Sequence, residues 1–168
     1  MKILLDIVIA LVIGLTLLFV YQEYRDDIWG IFLNQETVFT VYIDEIALSV
    51  SVADTQSELE TGLSGVSELP ELGGKLFIFP DDQRHGIWMK DMEISVDVLW
   101  FNSDLELIHI IESIDPASYP AIFAPPQNAR FVIETNAFLV EALQIQIGDR
   151  LTLPASLIPA DIRNNLQQ

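Results

Sequence analysis

An apolar run near the amino terminus, at residues 3–20, restricts the fold of this chain more than any other feature of its sequence. The run is interrupted only by Asp6, Gly14 and Thr16. As an α-helix, at ~1.5 Å per residue, it spans about 27 Å, close to the thickness of the bilayer hydrocarbon layer. It exceeds the roughly 7–15 apolar residues of a secretory signal, and no small-x-small cleavage site follows it. We therefore expect one N-terminal transmembrane helix at residues 3–20, with a cleaved signal peptide as the alternative.

Positive charges on either side of this run bear on its orientation. The amino terminus and Lys2 precede it and Arg25 follows it, and positive charge is retained on the cytoplasmic side of a membrane. We therefore expect a single-pass protein of the cell membrane whose globular domain is extracytoplasmic, and a monomeric domain when it is released. The expected division is a membrane anchor and exit at 1–27, a juxtamembrane connector at 28–36, a β-rich globular domain at 37–154 and a C-terminal tail at 155–168.

From Thr37 onward, apolar residues recur with the period of two that is typical of β-strands. Residues 38–43 and 46–53 show this pattern, and the Asp44-Glu45 pair between them predicts a hairpin. Further strands are predicted at 75–79 (ended by Pro80), 86–90, 96–101, 105–114, 131–134 and 150–153, and helices from Asp54 or Thr55 to Leu63 and from Asn136 to Leu143. Since no strand–helix–strand alternation is evident, we expect a mainly β fold, a compact antiparallel sandwich or barrel with two short helices.

Charge and cysteine content exclude several classes of function. The chain has 25 acidic and 8 basic residues, a net charge of −17, so nucleic acid is not an expected partner. It has no cysteine, which excludes disulfides, thiolate zinc sites and cysteine nucleophiles. The chain has two histidines, His85 and His109, which lie far apart in the sequence. The sequence contains no recognisable motif for binding a metal ion, a nucleotide or a dinucleotide. We therefore expect neither a metal ion nor a cofactor.

The segment from Trp88 to Asp91 is one candidate for a binding site. As a strand it places Trp88 and Lys90 on one face and Met89 and Asp91 on the other. An indole beside an ammonium group can stack on a flat or sugar-like ligand while the ammonium fixes an anion or a hydroxyl. The alternative is structural: Trp88 belongs to the core, and Lys90 pairs with Asp97.

Two carboxylates in apolar strands form the other candidate. Asp97 lies between two valines, and Glu134 ends the predicted strand at 131–134. A buried carboxylate needs a partner, and Lys90 is the nearest candidate for Asp97 along the sequence. The two carboxylates are alternatively an acid–base pair. The expected ligand-binding residues are therefore Trp88, Lys90, Asp91, Asp97 and Glu134, and no catalytic residue is assigned.

Several segments, in their order along the chain, resemble the bacterial and archaeal family called domain of unknown function 192. The resemblance covers about residues 50–153. It rests on Val52-Ala53-Asp54-Thr55, Gly62-Leu63, Leu76-Phe77-Ile78-Phe79-Pro80, Trp88-Met89-Lys90, Asp97, Val132-Ile133-Glu134 and Gly148-Asp149. It implies a compact, mainly antiparallel β architecture with an N-terminal signal or anchor, and it implies no established catalytic activity.

The chain departs from the family at several positions. These are Thr61 and Ser64 in place of Arg and Met, Asp91-Met92 in place of Asn-Thr, Ser95 in place of a Pro, and Phe138 in place of a Gly. A polar site built from the family's Arg, Asn and Thr would be altered here. The polar positions that this chain retains are Lys90, Asp97 and Glu134.

These patterns favour a ligand-binding or accessory domain at the cell envelope, with a small molecule, a sugar or an envelope protein as its ligand. The first alternative is a carboxylate-dependent hydrolase acting on an envelope or carbohydrate substrate. The second is a structural module that assembles with another envelope protein. A concave pocket with Trp88 and two nearby carboxylates would favour the hydrolase, and a flat apolar patch would favour the assembly module.

Overall fold

The computed structural model describes residues 37–165 and, before them, residues 14, 16 and 22. The chain divides into two compact units, Met1–Glu36 and Thr37–Gln168. Apart from residues 14 and 16, the predicted anchor at 3–20 lies outside the described residues, and so does the predicted connector at 28–36. The fold described below is that of the second unit.

The predicted architecture needs correction at its transmembrane helix. In the described part of the chain, no helix is both long enough and apolar enough to cross a bilayer. The helices that begin and end within residues 37–165 contain five or six residues, whereas a crossing takes about 20.

Short strands dominate residues 37–165. The strands are β1 (Val38–Ile43), β2 (Ile46–Ala53), β3 (Gly73–Gln83), β4 (Ile87–Trp88), β5 (Val96–Phe101), β6 (Leu107–Ile114), β7 (Ile122–Phe123), β8 (Ala129–Asn136) and β9 (Leu151–Thr152). The helices are α1 (Gln56–Thr61), α2 (Leu139–Leu143) and α3 (Ala160–Asn165), with a 3₁₀ turn at Pro116–Ser118. Seven strands form one sheet in the order β6-β5-β8-β3-β2-β1-β9, and β4 pairs with β7 in a separate small sheet. The mainly β character is as the sequence predicted.

The large sheet is mixed, whereas the sequence predicted only antiparallel pairing. Its neighbouring strands are antiparallel except for β2 and β3, which run parallel. Parallel neighbours need a crossover of about a dozen residues or more, and residues 54–72 provide it with α1 and a long loop. Because α1 has only six residues, the helical period of apolar residues in this strand–helix–strand unit is too short to be recognised in the sequence.

The large sheet curls until its two edges meet. An isolated bridge joins Glu106, just before β6, to Arg150, just before β9. Beside this bridge, the N–H of Leu107 donates to the carbonyl of Asp149 and the N–H of Leu151 to that of Leu105, both at 2.8 Å. The domain is therefore a nearly closed barrel rather than a sandwich.

Apolar side chains from all seven strands fill the inside of this barrel. They are Val41, Ile43, Leu48, Val50, Leu76, Ile78, Leu99, Phe101, Leu107, Phe131, Ile133 and Leu151, and Leu139 and Val140 of α2 pack with them. Burial of this size supplies the main driving force for folding.

A second apolar cluster covers the outer face of the central strands. Phe77, Val98, Trp100 and Val132 point outward and pack with Leu63, Ile87 and Met89 from outside the sheet. Successive side chains of a strand alternate between faces, so β3, β5 and β8 each contribute to both clusters. The functional site described below lies on this outer face.

Local sequence signals explain where several elements begin and end. The predicted β1–β2 hairpin is confirmed, and its turn uses Asp44 at φ 50°, a left-handed conformation that Asp tolerates. The predicted start of α1 is confirmed as well: Thr55 caps the helix in a capping box with Glu58. The helix ends at Thr61 rather than Leu63, because Gly62 leaves helical geometry at φ 52°.

Two further predicted boundaries are wrong. β3 does not end at Pro80 but continues to Gln83, because its pairing with β8 shifts between Ile78 and Gln83 and Pro80 lies in that irregularity. Asn136 does not cap α2. It belongs to β8, and its side-chain amide donates to the carbonyl of Pro70 at 2.7 Å.

Candidate functional site

A groove runs along the outer face of β3, between α1 on one side and β4 on the other. With the adjoining open space included in both figures, its wide outer part comprises about 960 Å³ and its narrow inner part about 380 Å³. The residues common to both parts are Leu59, Glu60, Phe79, Gly86 and Trp88. The two parts therefore form one continuous concave surface.

The inner end of the groove contains the carboxyl group of Glu134. Glu134 is 4% exposed and lies opposite Lys75 in the β3–β8 pairing. Burial raises the pKa of Glu134 from its ordinary 4.5 to about 8, although the positive charge of Lys75 acts in the opposite direction. The groove therefore ends at a carboxyl group that is largely protonated at neutral pH.

Gly62 keeps this inner end open. A Cβ atom at Gly62 would lie 3.1 Å from Cζ of Phe77 and 3.9 Å from Oε2 of Glu134. The residue also has φ +52°, which side-chain-bearing residues rarely adopt. Gly62 is therefore required both by the turn after α1 and by the space beside the carboxyl group.

Two exposed apolar side chains stand at the mouth of the groove. Trp88 is 43% exposed and Ile122 is 67% exposed, and the two residues pair across β4 and β7. Both line the outer part. The structural alternative that placed Trp88 in the core is therefore wrong.

An aromatic stack forms the wall between Pro80 and Trp88. The rings of Phe79 and His85 lie 3.7 Å apart, centroid to centroid, at an angle of 6°. Nε2 of His85 is 2.8 Å from the main-chain oxygen of Asp81, and the carbonyl of His85 accepts a 3.0 Å bond from the indole N–H of Trp100. The stack is thus fixed from both the surface and the core.

The turn after β4 connects this wall to the loop after α1. The predicted strand at 86–90 is shorter in the structure and ends at Trp88, so Lys90 lies in this turn. Its Nζ is still 6.0 Å from the centroid of the Trp88 indole. The carbonyl of Lys90 accepts from the hydroxyl of Ser64, and the carbonyl of Asp91 from the N–H of Gly65, both at 2.8 Å. Asp91 therefore contributes its main chain to the position of the groove walls.

Asp97 lies elsewhere and is fully buried. Its Oδ1 accepts hydrogen bonds from the N–H groups of Ser113 and Phe138 at 2.8 and 3.2 Å, and its Oδ2 from that of Val140 at 3.0 Å. Lys90 is exposed on the surface. The predicted Lys90–Asp97 ion pair is therefore wrong, because main-chain N–H groups satisfy the carboxylate.

The two predicted carboxylates point to opposite faces of the sheet. Asp97 pairs with Thr135 in the β5–β8 ladder, and Glu134 pairs with Val98. Since neighbouring positions on a strand face opposite sides, Glu134 faces the groove while Asp97 faces away from it. They cannot serve one reaction centre as an acid–base pair.

Sequence reasoning missed most of the groove residues, among them Glu60, Phe79, Asp81, His85 and Ile122. Phe79 could have been found from the alternation along β3, which places Lys75, Phe77 and Phe79 on one face. Lys75 lies opposite Glu134, so this is the face that carries the predicted Glu134. Ile122 could not, since β7 follows an irregular stretch without a strand pattern. In the part of the chain that the structure describes, no group of three or more His, Asp or Glu side chains is arranged to hold a metal ion.

Comparison with known proteins identifies relatives of this domain. Residues 39–153 match the family DUF192, described as "Uncharacterized ACR". The UPF0127 protein PF1050 of Pyrococcus furiosus is 27% identical over 81 residues, which cover 45% of this chain and 64% of that protein. The match thus spans less than two thirds of this relative's length.

Two crystal structures resemble the domain. A proposed transcription regulator from Sinorhizobium meliloti 1021 is 30% identical, with a TM-score of 0.65, over 69% of this chain and 93% of that one. A protein of unknown function from Novosphingobium aromaticivorans is 21% identical, with a TM-score of 0.66, over 69% of this chain and 85% of that one, and its likeness shows the fold alone. Since the family match covers more than half of the chain, the resemblance inferred from the sequence is confirmed, and the protein belongs to the DUF192 family of unknown function.

Proposed function

We propose that the domain binds a small organic molecule with a flat or apolar ring in the groove between α1 and β4. The observation that carries this proposal is the buried carboxyl group of Glu134 at the closed end of a groove walled by Phe79 and Trp88. Ligand sites are typically concave and apolar, with a few polar groups that fix orientation. The groove has this composition.

Glu134 supplies the polar end of the proposed site. With a pKa of about 8, its carboxyl group is mostly protonated at pH 7, so it can donate one hydrogen bond and accept others. Trp88 offers an exposed ring face at the mouth, and covering that face with a ligand removes apolar area from water, which is favourable. A ligand that reaches both would have an apolar ring at one end and a hydrogen-bonding group at the other.

Neither alternative function is favoured by the same geometry. The hydrolase would need Asp97 beside Glu134, and these residues face opposite sides of the sheet. The assembly module would need a flat apolar patch, whereas Trp88 and Ile122 line a concave surface. The role suggested for the Sinorhizobium meliloti protein is not extended to this chain, because a net charge of −17 opposes contact with a phosphate backbone. The location at the cell envelope stays a prediction.

A ligand-observed NMR screen tests the proposal. We expect ring compounds from a fragment library to show saturation transfer with the 168-residue chain, and Trp88→Ala to abolish it. Tyr42→Ala is the matched control, because Tyr42 is also an aromatic residue with 43% exposure and lies outside the groove. A screen without hits, or hits that survive Trp88→Ala as well as Tyr42→Ala, would overturn the proposal.

A further inference from the structure

We infer that the ligand of this groove is a small organic cation, an ammonium or guanidinium group attached to an apolar ring or chain. The inference rests on the proposed function and names the chemical class of the ligand. It is carried by two carboxylates and an aromatic wall that line the outer part of the groove.

The carboxylates come from two different elements. Glu60 belongs to α1 and Asp81 to β3, and both line the outer part of the groove. The lining of this part, within the described residues, includes no Lys or Arg side chain. An anionic ligand would be repelled here, and a cation would be attracted by both carboxylates.

The contacts of these carboxylates leave their charges in place. Oε1 of Glu60 accepts from the side-chain amide of Gln56 at 2.6 Å, and Asp81 accepts from the amide of Gln83. Both donors are neutral. His85 Nε2 lies 3.5 Å from Oδ1 of Asp81, and it adds positive charge only when it is protonated.

The aromatic wall suits a cation as well. The face of an aromatic ring carries partial negative charge and attracts cations within about 6 Å of its centroid. Trp88 already has one such partner, the ammonium group of Lys90, at 6.0 Å. Lys90 is exposed, and a ligand cation from the groove that reaches the same face of the indole would compete with it. Lys90 is then an intramolecular competitor for the face of the Trp88 indole.

Three probes of similar shape and different charge test the inference: 2-phenylethylammonium, 2-phenylethanol and 3-phenylpropionate. In NMR titrations of the 168-residue chain at about pH 7, we expect the ammonium compound to bind about tenfold more tightly than the alcohol, and the carboxylate to bind least. Lys90→Met should strengthen binding of the ammonium compound, because the variant removes the competing cation.

Matched double variants separate the local charges from the charge of the whole chain. Glu60→Gln with Asp81→Asn should weaken ammonium binding by about fivefold or more, and should weaken alcohol binding by a clearly smaller factor, because the alcohol carries no charge. Glu112→Gln with Glu141→Gln changes the net charge equally, at exposed residues away from the groove, and should leave both unchanged. Equal binding of ammonium compound and alcohol, both lost in Trp88→Ala, would overturn the cation inference and support the proposed function. Failure of all three probes would overturn the inference, and the fragment screen would then decide the proposed function separately.

Discussion

At the scale of single residues, Asp97 links three segments of the domain. It lies on β5, and its oxygens accept hydrogen bonds from Ser113 at the end of β6 and from Phe138 and Val140 at the start of α2. Hydrogen bonds to an ionised acceptor are stronger than those between neutral groups. The carboxylate therefore stabilises the barrel end without a basic side chain.

We expect Asp97→Leu to lower the free energy of unfolding by about 3–5 kcal/mol, because it leaves three N–H groups without their acceptor. Lys90→Met should change the free energy by less than about 1 kcal/mol, since Lys90 is exposed. The double variant should show the sum of the two effects, because the residues are not in contact. Urea titration measures all three variants. Recovery of the Asp97→Leu loss by Lys90→Met would contradict this assignment.

Glu134 makes stability depend on pH. Its pKa is about 8 in the folded protein, above the ordinary 4.5, so between these values the folded state binds more protons than the unfolded state. Its contribution to stability is therefore fully present below about pH 4.5 and is lost as pH rises toward about 8, with a slope of at most about 1.4 kcal/mol per pH unit.

Glu134→Gln should remove this contribution. We expect the variant to gain stability relative to the unmodified chain as the pH rises from about 5 to 8.5, because glutamine does not titrate. Urea titrations of both proteins across this range measure the difference. A constant difference between the two would show that the carboxyl group does not change its charge in that window.

At the scale of elements, local signals predicted structure where the deciding contacts are local. The β1–β2 hairpin and the Thr55 cap of α1 could be identified because their partners lie within a few residues. The parallel β2–β3 pair could not, since its pairing joins segments separated by a 19-residue connection that carries no long helical pattern. The start of α2 was missed for the same reason: its capping carboxylate, Asp97, comes from a strand about 40 residues earlier.

Helix α2 begins from a strained residue. Phe138 precedes the helix at φ 68°, and its side chain is 65% exposed. In the left-handed region, a residue with a Cβ atom has a conformational energy about 1–2 kcal/mol higher than that of glycine. Glycine at this position would avoid this strain, but its greater conformational freedom in the unfolded chain would cancel roughly half of the resulting gain in folding stability.

We therefore expect Phe138→Gly to raise the free energy of unfolding by about 0.5–1 kcal/mol, since the exposed ring contributes little packing. Phe138→Ala is the control, because it removes the ring but keeps the Cβ atom, and it should bring no gain. Thermal unfolding of the three proteins gives the comparison. A lower melting temperature for Phe138→Gly would mean that the ring has contacts that its exposure does not suggest.

At the scale of the whole molecule, both apolar clusters consist of residues that follow Thr37. We expect residues 37–168 to fold alone as a monomer with cooperative urea unfolding, because this compact unit contains its own core. Sedimentation and urea titration test this expectation. Gradual unfolding, or aggregation at micromolar concentration, would show that the domain needs the preceding residues.

The candidate site was only partly predictable, because its residues come together through the pairing of strands that are distant in the sequence. Trp88 and Glu134 were identified as unusual residues in their own strands, and the structure brings them to one groove. Asp97 had the same appearance in sequence, an acid among valines, and lies on the other face of the sheet. Only the pairing of β5 with β8 distinguishes the two carboxylates, and strand pairing is a long-range property.

The alternation along β8 has an evolutionary consequence. Val132 and Glu134 face the outer side of the sheet, where Glu134 lines the groove, while Phe131 and Ile133 face the barrel interior. A shift of one residue would exchange the two sets and move a carboxyl group into the apolar interior. Descendants of this sequence can thus diversify the groove by substitution, since its side chains are separate from the barrel core, whereas a single inserted or deleted codon within β8 would destroy the fold and the site together.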